Sequence, residues 1–240
     1  MRKIEVTITA DSIPENISAD ISIIIDVLRA SSVIVTALSN NTPYIIPALS
    51  VEEAFAHKKV FADALLAGER NALIIEGFDL GNSPRILEEN KPIEPLILTT
   101  TNGTKAIAKS KNSREIIIAT FLNVDVVAKL IDTGSYSDIH IACAGTNGKF
   151  SMDDYLMAGA IISRLDQANY EIDDAGLAAC KLYETAKNDL HKILSSTFHY
   201  KVLQNKGFQA DLDFCLRENI YPIIPEVIDK HQLKLAVRQI

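Results

Sequence analysis

At 240 residues, 48% of them hydrophobic and none of them Trp, the chain has the size and the aliphatic content of one large α/β domain with a substantial core. Its net charge of -7, from 24 Lys and Arg against 31 Asp and Glu, repels polyanions and argues against nucleic acid or an anionic membrane as partner. Cys143, Cys180 and Cys215 are widely spaced and odd in number, which argues against a disulfide framework or structural zinc. With no leader-like apolar segment at the start, and no run near the ~18 residues of a membrane span, the protein is expected to be cytoplasmic.

Short aliphatic runs recur along the chain at Ile4 to Ile8, Ile21 to Ile25, Tyr44 to Ile46, Leu73 to Ile75, Leu96 to Leu98, Ile116 to Ile118 and Ile139 to Ala142, and read as buried strands. Between them, Ser50 to Gly68 opens on a Ser-x-x-Glu capping box and closes on glycine, the bounds of a helix. Strands alternating with helices predict a mostly parallel sheet flanked by helices in three layers. From Ser151 to about Arg217 the pattern turns helical, with one apolar stripe at Ala158, Ile161, Ile162 and Leu165 and another at Leu177, Ala178 and Leu182. Strand character returns at Tyr221 to Ile224 and Leu233 to Val237, where Pro222 and Pro225 suggest a sheet edge. No linker divides the chain, so residues 1–240 read as a single α/β unit or as two tightly packed lobes, 1–150 and a helix-rich 151–240.

Chemistry collects after the strands. Asp26 to Ser32 sets a carboxylate, Arg29 and Ser31 at a turn into a helix; Glu76 to Pro84 offers Asp79, Asn82 and a capping Ser83; two loops share a Thr-Asn-Gly core, Thr101-Asn102-Gly103 before Thr104 and, after Gly145, Thr146-Asn147-Gly148 before Lys149. Ligands of open α/β sheets bind at the carboxyl ends of strands, so these segments are expected to converge on one crevice. Loops rich in Gly, Thr and Asn that enter helices offer N–H groups and hydroxyls to an anion. Arg29, Arg70, Lys105 and Lys149 could add charge, and two carboxylates beside a phosphate call for a hard cation, Mg2+. Known phosphate motifs fail: Lys149 is followed by Phe150, Cys143 stands where a Walker loop has glycine, and no Gly-x-Gly-x-x-Gly follows a strand. Cys143 to Lys149 is similar to the Cys-x5-Arg loop of cysteine phosphatases with lysine in place of arginine, which leaves Cys143 open as nucleophile or as small core residue.

Together, Asp26 to Ser32, Gly68-Glu69-Arg70, Gly77 to Pro84, Thr99 to Thr104 and Cys143 to Gly148 resemble, in order and spacing, the motif series of the 2-phosphosulfolactate phosphatase family, with looser matches at Asp174 to Tyr183, Phe198-His199 and Gly207 to Cys215. The resemblance implies Mg2+-dependent hydrolysis of (R)-2-phospho-3-sulfolactate, or a related 2-phosphoacid, to the 2-hydroxyacid and phosphate, a step of coenzyme M biosynthesis. Lys149 departs from the family's expected arginine, and a lysine cannot make a forked two-bond contact.

The expected roles follow. Asp26 and Asp79 hold Mg2+, Arg29 and the Thr101 to Thr104 loop fix the remaining phosphoryl charge, and Ser31, Arg70, Asn82, Ser83, Asn102, Gly103, Gly145, Thr146, Asn147 and Lys149 bind substrate. The two aspartates could instead be turn carboxylates, and the two arginines ion-pair partners. Glu69 and Glu76 are weaker candidates, and Asp153 and Asp154 read as helix caps with a metal role open. Of the histidines, His140 reads as a core residue and His199 as a donor to the leaving oxygen. The partner is a small anionic phosphorylated molecule; a homo-oligomer is compatible with this picture. The rival functions are a lyase or isomerase of phosphorylated hydroxyacids and a non-catalytic anion-binding module.

Overall fold

The computed structural model describes residues 1–238. Its first half alternates as β1 (Arg2–Thr7), β2 (Ile21–Ile25), α1 (Ala30–Ser39), β3 (Ile45–Pro47), α2 (Val51–Val60), β4 (Leu65–Arg70), β5 (Leu73–Ile74), α3 (Pro84–Asn90), β6 (Leu96–Thr99), α4 (Gly103–Lys109), β7 (Glu115–Ala119), α5 (Val124–Thr133) and β8 (Asp138–Cys143). The rest runs α6 (Met152–Ser163), β9 (Tyr170–Ile172), α7 (Asp174–Ala186), α8 (Leu190–Leu194), α9 (Phe198–Asn205), α10 (Gln209–Cys215), β10 (Pro225–Asp229) and β11 (Lys234–Val237). The class is α/β, with one sheet ordered β5-β4-β6-β3-β11-β10-β7-β2-β8-β1-β9. Among the described residues no helix is long and apolar enough to cross a membrane.

The sheet consists of two parallel blocks. β3, β6 and β4 pair in parallel, as do β7, β2, β8, β1 and β9, and the antiparallel hairpin β10–β11 stands between them. Each side of the hairpin is joined by a single bridged pair, Glu226 with Ile117 and Leu235 with Ile45. The blocks therefore run in opposite formal directions.

Period-two alternation decides which layer each strand residue enters. Ile21, Ile23 and Ile25 of β2 pack with α5, α6 and α7, whereas Ile24 packs with α1 and α4. In the other block Ile45, Leu96 and Leu98 join the α1 layer, and Ile46 and Ile97 face α2 on the far side. Helix α1 is thus wrapped by the sheet, and every residue from Ala30 to Leu38 is buried.

Four expectations are corrected. The helix capped by Ser50 ends at Val60, and Gly68 lies inside β4, not at a helix end. A Cβ there would sit 2.2 Å from the Thr99 carbonyl oxygen, so the glycine serves the close approach of β4 and β6. Leu73–Ile74 is a two-residue antiparallel edge strand exposed at both positions, because only Glu69 and Arg70 pair with it. The C-terminal hairpin is central rather than at an edge: Pro225 is the first residue of its strand, where a missing N–H is tolerated. On α7 the buried face is Gly176, Ala179, Cys180, Tyr183 and Ala186, not Leu177 and Ala178. Small residues win there because α6 packs closely, and a Cβ on Gly159 would lie 2.1 Å from the Ala179 carbonyl oxygen.

Candidate active site

A cleft of about 410 Å3 opens beyond the carboxyl ends of β2, β4, β6 and β8. Asp26 and Arg29 border it from the first, Glu69 from the second, Thr101 and Asn102 from the third, Thr146 and Asn147 from the fourth, with Asn82 before α3 and Phe198 and His199 of α9 closing it. A continuous hollow beside it is lined by Lys149, Phe150, Met152 and Thr197 and shares Thr146, Asn147, Phe198 and His199.

Carboxylates dominate its wall. Asp26 is buried at the end of an all-buried strand, and its carboxylate accepts the N–H of Ala30 at 3.1 Å and that of Gly103. Gly103 is needed at that contact, since a Cβ would fall 2.8 Å from Asp26 Oδ2 and 2.7 Å from Ala30 Cβ. Burial pushes the Asp26 carboxyl up to about 7; the Ala30 N–H opposes this, and the negative charges of Asp153 and Glu69 add to it. Asp154 is also buried and raised well above the usual carboxylate range, by burial first and then by Asp153 and Asp26. It accepts Val27 N–H at 2.8 Å and Gly145 N–H at 2.9 Å, tying the β2 loop to the β8 loop. Glu69 accepts the Thr101 N–H and hydroxyl on one oxygen and the Ala72 N–H at 2.7 Å on the other. Backbone N–H groups expected to cradle an anion are thus directed at the protein's own carboxylates, and Asn147 N–H is taken by Asn102 Oδ1 at 3.1 Å.

Positive charge enters on Arg29 and Lys206. Arg29 is buried, paired with Asp211 at 2.6 Å, bonded to the Ala72 carbonyl at 3.1 Å, and stacked 4.0 Å above the Phe208 ring. Its ion pair and its place on the cleft coexist, because a guanidinium has five N–H donors. Lys206 borders the cleft while donating to the Asn71 carbonyl at 2.8 Å. Asn82 borders the cleft and is buried, and its Oδ1 has no hydrogen-bond partner among the described residues.

Asp26, Arg29, Asn82, Thr101, Asn102, Thr146, Asn147 and His199 are therefore brought together. Asp79 is not: it is exposed, and its carboxylate accepts Leu66 N–H at 2.8 Å beside the start of β4. Cys143 is buried and outside the cleft lining, and burial with Asp154 and Asp153 nearby pushes its thiol well above the ordinary range. Arg70 donates to the Glu69 carbonyl and the Thr99 hydroxyl, and lies outside the cleft lining. Ser31 and Thr104 close their own loops by bonds to Asp26 N–H and the Thr100 carbonyl, Ser83 donates to Asp211, and Gly145 N–H is spent on Asp154. Lys149 lines the neighbouring hollow.

Asp211 was not singled out from the sequence, although it holds Arg29, the Ser83 hydroxyl and Arg85 N–H at once. It lies on α10, remote from every strand end, so no local pattern marks it. For Asp153 and Asp154 a signal existed, two acids opening a helix four residues beyond the Gly-Thr-Asn-Gly loop.

Residues 7–230 match the family model described as 2-phosphosulpholactate phosphatase. A probable 2-phosphosulfolactate phosphatase of Clostridium beijerinckii is 40% identical over 95% of this chain and 97% of its own length. Proteins of the same description from Thermotoga maritima and Caldanaerobacter subterraneus are 42% and 44% identical, over 87% and 85% of this chain and 89% and 86% of their own lengths. With these matches spanning the strands, loops and helices that build the cleft, the chain belongs to the 2-phosphosulfolactate phosphatase family.

Proposed function

We propose that this protein is a phosphoric monoester hydrolase that cleaves 2-phosphosulfolactate, or a closely related 2-phosphoacid, to phosphate and the 2-hydroxyacid, with Mg2+ bound in the cleft. The observation that carries the reading is the buried Asp26 carboxylate on the wall of a small cleft whose other walls present Arg29, Asn82 and two Thr-Asn pairs. A volume of about 410 Å3 suits a small acid rather than a polymer.

Charge balance supports the cation. A phosphate placed about 4 Å from a carboxylate meets roughly 4 kcal/mol of repulsion per pair of unit charges at an effective dielectric of 20, and Asp26 and Glu69 both border the cleft. The donor set fits Mg2+: Asp26 and the unpartnered Asn82 Oδ1 are hard oxygen donors, and this ion takes one or two protein carboxylates with waters and substrate oxygens. Among the described residues no group of three or more His, Cys, Asp and Glu is arranged to hold a metal, so any cation here would rest on fewer protein ligands. The pair is Asp26 with Asn82, and Asp79 has no part in it. When bound, Mg2+ would neutralise phosphoryl oxygens.

The chain's own groups bind and orient. Arg29, held rigid by Asp211 and Phe208, directs its remaining N–H groups to an anionic oxygen. The side chains of Thr101, Asn102 and Asn147 fix the acid, and Lys206 adds charge at the same wall. Cys143 is buried away from the cleft lining, and the attack is assigned to a water oxygen.

The test is a phosphate-release screen over small phosphorylated acids, with and without Mg2+. Release from 2-phosphosulfolactate that stops on chelation, and that falls at least about a hundredfold in Asp26→Asn, is the expected result. Turnover of phosphorylated hydroxyacids without free phosphate would replace this reading with a lyase or isomerase.

A further inference from the structure

Four polar side chains form an unbroken line from the protein interior to the cleft. Asp153, at the start of α6, is buried and accepts the Ser151 hydroxyl proton. Ser151 in turn accepts from the Thr146 hydroxyl at 3.1 Å, and Thr146 Oγ1 lies 2.9 Å from His199 Nδ1. His199 Nδ1 is also 4.0 Å from the second Asp153 oxygen, while no hydrogen-bond partner of Nε2 is found among the described residues.

The direction of every bond in this line is determined by its inner end. A carboxylate can only accept, so the Ser151 proton points at Asp153. The one Thr146 hydroxyl proton is committed to Ser151, and the Thr146 oxygen facing the ring has nothing left but lone pairs. His199 Nδ1 must therefore carry a hydrogen. A neutral imidazole so held has its free lone pair on Nε2, the nitrogen without a protein partner on a ring that borders the cleft.

We propose that Asp153, Ser151 and Thr146 are positioning residues that lock His199 as the Nδ1–H tautomer, making Nε2 the atom through which the active site exchanges protons with the reacting phosphoester. This rests on the phosphatase reading. Nε2 takes a proton from the attacking water as the oxygen of that water bonds to phosphorus, and passes this proton to the C2 oxygen as its bond to phosphorus breaks. The ring ends as it began, so the hydroxyacid and phosphate leave with no net proton taken from the enzyme. Nδ1–H stays on Thr146 throughout and keeps the ring from turning.

The decisive readout is the ring itself. Two-bond 1H–15N spectra of the 15N-histidine-labelled full chain, recorded at alkaline pH with His199 assigned by loss of its signals in His199→Gln, report which nitrogen bears the proton. The expected result is Nδ1–H in the wild type. Thr146→Val, which keeps the shape and removes the acceptor, should move the population to Nε2–H and lower kcat at least about tenfold with KM little changed, part of the roughly 10²–10⁴-fold that a positioned proton donor supplies. Thr146→Ser keeps the hydroxyl and should restore both tautomer and kcat; Ser151→Ala is a second break in the line should Thr146→Val fold poorly. An Nε2–H wild type, an unchanged tautomer in both broken lines, or a changed tautomer with unaltered kcat overturns the proposal while phosphate release by the wild type leaves the phosphatase reading intact. A wild type that holds Nδ1–H but releases no phosphate overturns that reading and the proton transfer with it.

Discussion

Replacing Asp26 by asparagine should raise stability at pH 8 in protein stripped of divalent cations, and should lower phosphate release at least about a hundredfold when Mg2+ is supplied. The folded-state pKa of Asp26 is raised from 3.8 to about 7, with burial the largest cause. A carboxyl raised on folding stabilises the fold below its unfolded pKa and loses that contribution as pH climbs through its folded pKa, because the unfolded chain ionises first. Three units at about 1.4 kcal/mol each put the full cost of an ionised Asp26 near 4 kcal/mol, and all of it is present by pH 8. Asparagine escapes the charge but satisfies the Ala30 and Gly103 N–H groups less well, a loss of about 1–2 kcal/mol. The net gain expected at pH 8 is about 2–3 kcal/mol; near pH 4, where the folded wild type carries a neutral carboxyl, the variant should be level or slightly less stable. Urea unfolding of both proteins at the two pH values, in chelator, measures the difference. A variant destabilised at pH 8 by as much as at pH 4 would refute the claim that Asp26 is held at a cost to the fold, the usual mark of a group kept for function.

Asp211→Ala should cost about 3–5 kcal/mol in urea unfolding, because it strands the buried Arg29 guanidinium without its partner. The same variant should raise KM for the phosphoacid, since Arg29 and Ser83 lose their shared anchor. His140 lies buried between Thr7 and Ser22, and its pKa is lowered to about 4, by burial against the opposing charge of Asp173. It is neutral in the fold while the unfolded chain takes up a proton below about 6.5, so stability is complete above that pH and falls as pH drops toward 4, by about 3 kcal/mol. His140→Asn should flatten this part of the unfolding profile, and an unchanged slope would remove His140 as its source. Cys143→Ala should keep phosphate release within a few-fold and lose about 1 kcal/mol of stability, since the residue is a buried thiol in the core; a hundredfold fall in kcat would return it to the chemistry.

Legibility from sequence followed the range of the interactions. Strands such as Ile21–Ile25 were readable because five successive buried residues fill both faces of a central parallel strand. The Ser50 and Ser83 caps were readable because a cap is a contact across three residues, and both make their bond, to Glu53 N–H and Ile86 N–H. The end of α2 was not, since Leu65–Arg70 carries a helix-compatible composition and becomes a strand only by pairing with β6, some thirty residues on. Asp79 misled for a related reason: a carboxylate after a strand looks like a ligand, but here it satisfies the Leu66 N–H. Convergence of the Asp26, Thr101 and Thr146 loops was foreseen from the strand-end rule alone. Of the partners that order them, Asp154 on α6 lies 127 residues from Val27 and is marked in sequence only as an acid opening a helix, and Asp211 on α10 lies 182 residues from Arg29 with no local pattern to mark it.

That convergence is itself unexpected from the sheet's formal topology. The block with β4 and β6 and the block with β2 and β8 run in opposite senses, which in a flat sheet would put their carboxyl ends on opposite rims. Yet Gly103, after β6, touches Asp26, after β2. Five pairings separate β6 from β2, and a twist of roughly 20–25° at each turns one strand past a right angle relative to the other. The narrow seams of the hairpin, one bridged pair on each side, leave room for that turn. Such seams cannot by themselves fix the distance between the rims to the tolerance that catalysis needs. What fixes it is α1, buried between the blocks, together with the struts that cross the gap: Gly103 against Ala30, Asn147 N–H on Asn102, and Asp211 joining Arg29 to Ser83. The polar groups that build the cleft are for this reason the same ones that hold its two halves in register.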